Sequence, residues 1–168
     1  KVQKSQSYAQ PAQLFWNCGV TSSKGGFATV NRAKSGPDLF KPIVGRGSAF
    51  ADIDGDGDLD VVFTQLHGKP LLLRNDQTLG NHWLRVKLAG RVGNLDGIGA
   101  VLRLKTDSIA QSRLVTAARS YLSQSETIAT FGLGAEPNTA ELNVLWPDGT
   151  EQVVPVSKFK TTLVVEKP

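Results

Sequence analysis

The chain contains no methionine and a single cysteine among its 168 residues. Cys18 therefore has no partner for an intrachain disulfide, and one thiol makes no zinc site. It reads as a small buried hydrophobe, with a bond to a second chain as the alternative. A chain that starts at Lys1 and lacks methionine reads as a processed or excised piece of a longer product. No apolar run approaches the roughly 18 residues that mark a membrane-spanning helix, so no transmembrane segment is expected. Histidine is scarce, with only His67 and His82. A Walker loop, a Gly-x-Ser-x-Gly elbow and a His-Glu-x-x-His helix are all missing, and the expectation is a protein without catalytic activity. No Asn-x-Ser/Thr sequon occurs, which excludes N-linked glycosylation of this stretch.

The formal net charge of +4 hides a contrast, because five of the fifteen acids sit together. The remaining surface is basic. Arg85, Lys87, Arg91, Arg103, Lys105, Arg113 and Arg119 alternate with apolar residues, as solvated strand faces do. A nucleic-acid surface clusters its basic residues with aromatics, so no nucleic-acid partner is expected.

No long stretch carries a helical period. Apolar and polar residues alternate in short runs bounded by Gly, Pro, Asn and Asp, which indicates an all-β chain. Residues 1–12 read as an extended or mobile lead-in. A Gly/Ser turn follows at 22–26, then a short strand at 27–31 and a polar loop through Pro42. Strands at 48–50, 59–65 and 71–74 complete a first unit over 13–78. Leu14-Phe15-Trp16-Asn17 is echoed in type and order by Leu72-Leu73-Arg74-Asn75, as one blade of a β-propeller echoes the next. The first unit thus reads as about one propeller-type blade.

Residues 79–168 form a second unit. Leu84, Val86 and Leu88 share one strand face, with Trp83, Arg85 and Lys87 on the other. Further strands are expected at 100–105, 113–121, 128–131, 140–146, 151–155 and 161–165, with a hairpin turn over Trp146-Pro147-Asp148-Gly149-Thr150. About seven antiparallel strands make a β-sandwich.

The chemistry concentrates in Asp52-Ile53-Asp54-Gly55-Asp56-Gly57-Asp58-Leu59-Asp60. Carboxylates at alternating positions, with a glycine for a sharp turn, suit a hard cation held by oxygen, and calcium is the expected ligand. Asp52, Asp54, Asp56 and Asp60 are the side-chain ligands. Asp58 supplies its backbone carbonyl, its carboxylate turned to solvent or a water. The spacing departs from an EF-hand where a bidentate Glu should stand, because that residue is Phe63, and the run after Asp60 is a strand rather than a helix. Other motifs read as structure. Asp96-Gly97-Ile98-Gly99 precedes a strand and is a tight turn. Ser120 to Ser125 is a polar strand end around a half-buried Tyr121, or else one wall of a glycan or peptide groove. Trp16, Trp83 and Trp146 are core or blade contacts, or else stacking platforms for sugar.

Residues 47–75 resemble an FG-GAP/VCBS-type propeller repeat, whose D-x-D-x-D-G-x-x-D loop is a calcium-binding β-hairpin. Residues 81–149 resemble the ASPIC/UnbV domain. The resemblance is carried by Gly80-Asn81-His82-Trp83-Leu84-Arg85-Val86, Asp96-Gly97-Ile98-Gly99-Ala100, Ser120-Tyr121-Leu122-Ser123-Gln124-Ser125, Phe131-Gly132-Leu133-Gly134 and Trp146-Pro147-Asp148-Gly149. This pairing is similar to that of the cartilage acidic protein-like family. It implies a calcium-stabilised adhesion or protein-interaction module that is extracellular, at the cell surface or periplasmic. The alternatives are a structural or accessory subunit docked in a larger assembly, including a membrane-associated one, and a carbohydrate-binding module.

Overall fold

The computed structural model describes residues 7–18, 26–135 and 137–168. The front of the lead-in (1–6) and most of the expected Gly/Ser turn (22–25) lie outside the described residues. Gln10 pairs with Ile43 through two backbone hydrogen bonds, so this end of the lead-in is tied down as a β-bridge. The described chain is all-β apart from one helical turn (α1, Arg32–Ser35) and one 3-10 turn (Asp38–Phe40), both in the expected polar loop.

The first unit contains a two-stranded hairpin, β1 (Phe15–Asn17) with β2 (Phe27–Thr29). It also contains an antiparallel three-stranded sheet ordered β3 (Gly45–Ala51), β4 (Asp60–Gln65) and β5 (Leu71–Leu73). The Asp loop joins β3 to β4 and is held at its base by the Ala51–Asp60 pair. The echoed motif falls on β1 and on β5 with the residues after it. These strands belong to separate sheets.

The second unit is a sandwich of two sheets. One is ordered β11 (Ala129–Gly134), β6 (His82–Ala89), β14 (Thr161–Glu166). The other is ordered β13 (Glu151–Val156), β12 (Ala140–Leu145), β7 (Val101–Thr106), β8 (Ala110–Leu114). Alternation drives the packing. Leu84, Val86 and Leu88 of β6 and Phe131 of β11 are buried in one cluster with Leu102 and Leu104 of β7 and Leu142 and Val144 of β12. Each such side chain stabilises the fold by about 1.5–3 kcal/mol on burial. Pro155 sits on β13, at the sheet edge, where a missing N–H costs no ladder bond.

Two expectations need correction. The sandwich is not wholly antiparallel, because β14 pairs parallel with β6 from Thr161↔Leu84 to Glu166↔Ala89. The strand expected over 113–121 is two strands. Val115 is buried and pairs with Ala100, and the chain then leaves that sheet. It forms β9 (Ala118–Ser120), which turns back through Tyr121 and Leu122 into β10 (Ser123–Gln124).

Candidate metal centre

The β3–β4 connection gathers carboxylates because the backbone turns inward on them. Asp52, Asp54 and Asp60 each offer an oxygen, and the three oxygens lie within 4.8 Å of one another. Asp60 is 1 % exposed at the head of β4. Its Oδ2 accepts from Ile53 N–H at 2.9 Å and its Oδ1 from Asn75 N–H at 2.8 Å. Asp52 Oδ1 accepts from Gly55 N–H at 2.8 Å and its Oδ2 from Gly57 N–H at 3.1 Å. A carboxylate has about four lone-pair positions, so these bonds orient both acids and leave acceptor capacity. Three hard oxygen donors beside a turn match the chemistry of a hard divalent cation rather than of a soft metal.

Of the five acids expected as ligands, Asp56 and Asp58 lie outside this cluster. Asp56 Oδ1 accepts from Asp58 N–H at 2.9 Å, and Asp58 Oδ1 accepts from Gln77 Nε2 at 2.6 Å. Asp58 is therefore engaged with a side chain rather than turned to open solvent. Burial pushes its carboxyl above the ordinary range; the Gln77 hydrogen bond opposes this, and the charges of Asp56, Asp52 and Asp60 add to it. The neighbouring carboxylates thus oppose its ionisation, a repulsion that a bound cation would relieve.

The loop does not stand apart from the sandwich. Gly57 has φ +96°, and a Cβ built there would lie 1.9 Å from Trp83 Cε2, so only glycine lets the β6 indole pack on the loop. Arg85, also on β6, is 7 % exposed. Its Nη1 stands 3.0 Å from Asp52 Oδ2, and its Nη2 pairs with Glu126. The expected solvated strand face is therefore wrong at Arg85. Alternation places a residue on a face; here that face is covered by the first unit. On the outer side Arg74 Nη1 lies 3.7 Å from Asp54 Oδ2 and its Nε pairs with Asp76. A cleft of about 520 Å³ opens beside the loop, lined in part by Asp56, Asp58, Gln77, Trp83 and Lys160.

The Ser120–Ser125 segment closes the same junction. Ser123 Oγ accepts from Ser48 N–H at 2.9 Å, Ser125 Oγ from Phe50 N–H at 3.2 Å, and Glu126 N–H donates to Phe50 O at 3.4 Å. The serines satisfy the open edge of β3. Gly47 permits the approach, since a Cβ there would meet Leu122 O at 2.6 Å. Tyr121 is 70 % exposed rather than half-buried, because it occupies the hairpin tip. Arg85 and these serines are the residues that sequence reasoning missed. Their motif was visible, but nothing in it names a partner on β3.

The tryptophans divide. Trp146 is in the core, its Nε1 donating to Gln152 Oε1 at 3.0 Å. Trp83 covers Gly57, and Trp16 on β1 is 63 % exposed. They form no common platform. Cys18 is half-buried at the end of β1 rather than a core residue. His67 occupies the β4–β5 turn at φ 57°, and His82 begins β6 with its ring 6.5 Å from that of Phe159. No helix among the described residues is long and apolar enough to cross a membrane.

Residues 90–168 match the family model described as ASPIC and UnbV. Cartilage acidic protein 1 of Mus musculus is 34 % identical over 110 residues, covering 62 % of this chain and 17 % of that protein. The proteins of the same name from Xenopus tropicalis and Homo sapiens are also 34 % identical over 110 residues, covering 62 % of this chain and 16 % of each. The chain spans about a sixth of the length of the curated relatives it matches. The chain is similar to the ASPIC and UnbV family over residues 90–168 and similar in sequence to cartilage acidic protein 1.

Proposed function

We propose that this chain is a calcium-stabilised, non-catalytic interaction module that works outside the cytoplasm. Residues 13–78 supply an FG-GAP/VCBS-type repeat, a propeller-type blade with its calcium hairpin, and residues 79–168 supply the ASPIC/UnbV sandwich. The observation that carries the reading is the convergence of Asp52, Asp54 and Asp60 on one point, with Asp60 buried and both of its oxygens oriented by backbone amides. The mutual repulsion of these carboxylates, which Arg85 offsets at Asp52, favours a bound cation. Calcium bound there would clip the β3–β4 hairpin and, through Asp52 and Gly57, the junction with β6. Asp56 and Asp58 line the adjacent cleft and add negative potential. The relatives' name refers to cartilage, which supports an extracellular setting and a protein partner.

The alternative of a permanently docked subunit draws on β1–β2. Leu14, Phe15, Trp16 and Phe27 are exposed on a two-stranded hairpin, and an isolated hairpin of this kind is marginal in water. Thermal melting in millimolar calcium and in chelator tests the main reading. Calcium is expected to raise the melting temperature of the native sequence, and Asp54→Ala to remove that increment. Equal melting in both media for the native sequence would contradict it.

A further inference from the structure

The strongest unexplained feature of the junction is a cation already built into it. Arg85 reaches the Asp loop from the sandwich, and the Asp52 side chain that it meets is fully buried. Charges so enclosed are little screened by salt. The Asp52 carboxylate is also held by Gly55 and Gly57 N–H groups. Its orientation therefore does not depend on Arg85. What Arg85 adds is charge.

Glu126 shares this guanidinium, whose Nε is buried without a protein partner among the described residues. The two acids do not exhaust it. Arg74 differs: its side chain is 60 % exposed, and its guanidinium stands farther from its loop acid and is tied to Asp76. Solvent and Asp76 screen it.

We infer that Arg85 is a resident counter-charge of the Asp loop, one that keeps the loop folded before any metal binds and holds its calcium affinity in the weak range. The inference rests on the calcium reading above. With Arg85 in place, Asp52 is neutralised locally and the unloaded loop is tolerated. Without it, the loop gains one uncompensated buried charge. The unloaded protein is then less stable, while an incoming cation meets less repulsion and more attraction. A weak site suits a medium in which calcium is abundant.

Calcium titration by calorimetry, on the whole chain, tests this. The native sequence is expected to bind with Kd on the order of 10⁻⁴–10⁻³ M, the range of extracellular modules. Arg85→Met is expected to bind at least about tenfold more tightly, the change in charge interaction at a poorly screened site. Arg85→Lys keeps the charge and changes the hydrogen bonding, so its Kd should stay close to the native value, as should that of Arg74→Gln. Binding by Arg85→Met that is equal to or weaker than native overturns the inference, as does tightening by Arg85→Lys equal to that by Arg85→Met. If Arg85→Met does not fold without calcium, Glu126→Gln carries the test. It leaves more of the guanidinium's charge facing the loop and should weaken binding; unchanged or tighter binding overturns the inference. A native chain that takes up no calcium at millimolar concentrations would instead sink the calcium reading itself.

Discussion

Arg85 Nη1 lies 3.0 Å from Asp52 Oδ2, so strand β6 of the sandwich and the acidic loop between β3 and β4 share one buried ion pair. The pair joins residues from two units that the sequence presents as successive. It makes the loop a part of the interface as well as a candidate cation site.

Replacing Asp60 with Ala should destabilise the fold by about 3 kcal/mol, since two hydrogen bonds to a charged group are lost and two amide donors are left in a part-buried setting. Urea unfolding in chelator measures this without any contribution from metal.

Gly57→Ala should be more disruptive than its size suggests. The new methyl group would overlap the Trp83 indole at a backbone angle that favours glycine. A cost of at least about 2 kcal/mol is expected, with a shift of Trp83 fluorescence toward a more exposed indole. Unchanged fluorescence and stability would show that the indole does not pack on the loop.

The β3 edge should depend on Ser123. Its hydroxyl accepts from Ser48 N–H and donates to Tyr121 O at 2.8 Å. Ser123→Ala leaves the Ser48 amide without that acceptor, at a cost of about 1–3 kcal/mol. Hydrogen exchange at Ser48 should accelerate while that of β12 keeps pace only with the global stability.

Acid should weaken the β12–β13 turn in a defined window. The Lys167 ammonium bonded to Asp148 lowers its carboxyl from 3.8 to about 2, with help from the Thr150 amide. A depressed folded pKa means that this pair stabilises fully above the unfolded value and is lost as pH falls through about 2. Between pH 4 and 2 the native sequence should therefore lose slightly more melting temperature than Asp148→Asn, and salt should shrink the difference because the pair is exposed.

The strands of the sandwich are legible in the sequence wherever alternation is clean. Leu84, Val86 and Leu88 announce both β6 and its buried face. Alternation names a face and not what lies against it, and for that reason Arg85 looks like a solvent residue until Asp52 and Glu126 are placed beside it. The parallel β6–β14 pairing is invisible for a related reason: period-two patterning carries no strand order or direction. The acidic loop is legible because its signal is local, five acids around one turn. Its division into a converging group and two outlying acids depends on which backbone amides turn inward. The serines of 123 and 125 act at long range on β3, so their role emerges only from the packed structure.

The central claim is that a cation binds in the Asp loop, next to Trp83. Terbium, which takes the same oxygen ligands as calcium, emits under indole excitation when held close to the ring. Titrating terbium into the metal-free chain should give saturable emission that excess calcium quenches. The emission should weaken in Trp83→Phe and be abolished in Asp54→Asn. Absence of calcium-displaceable emission from the native chain, or emission undiminished in Asp54→Asn, would contradict the account.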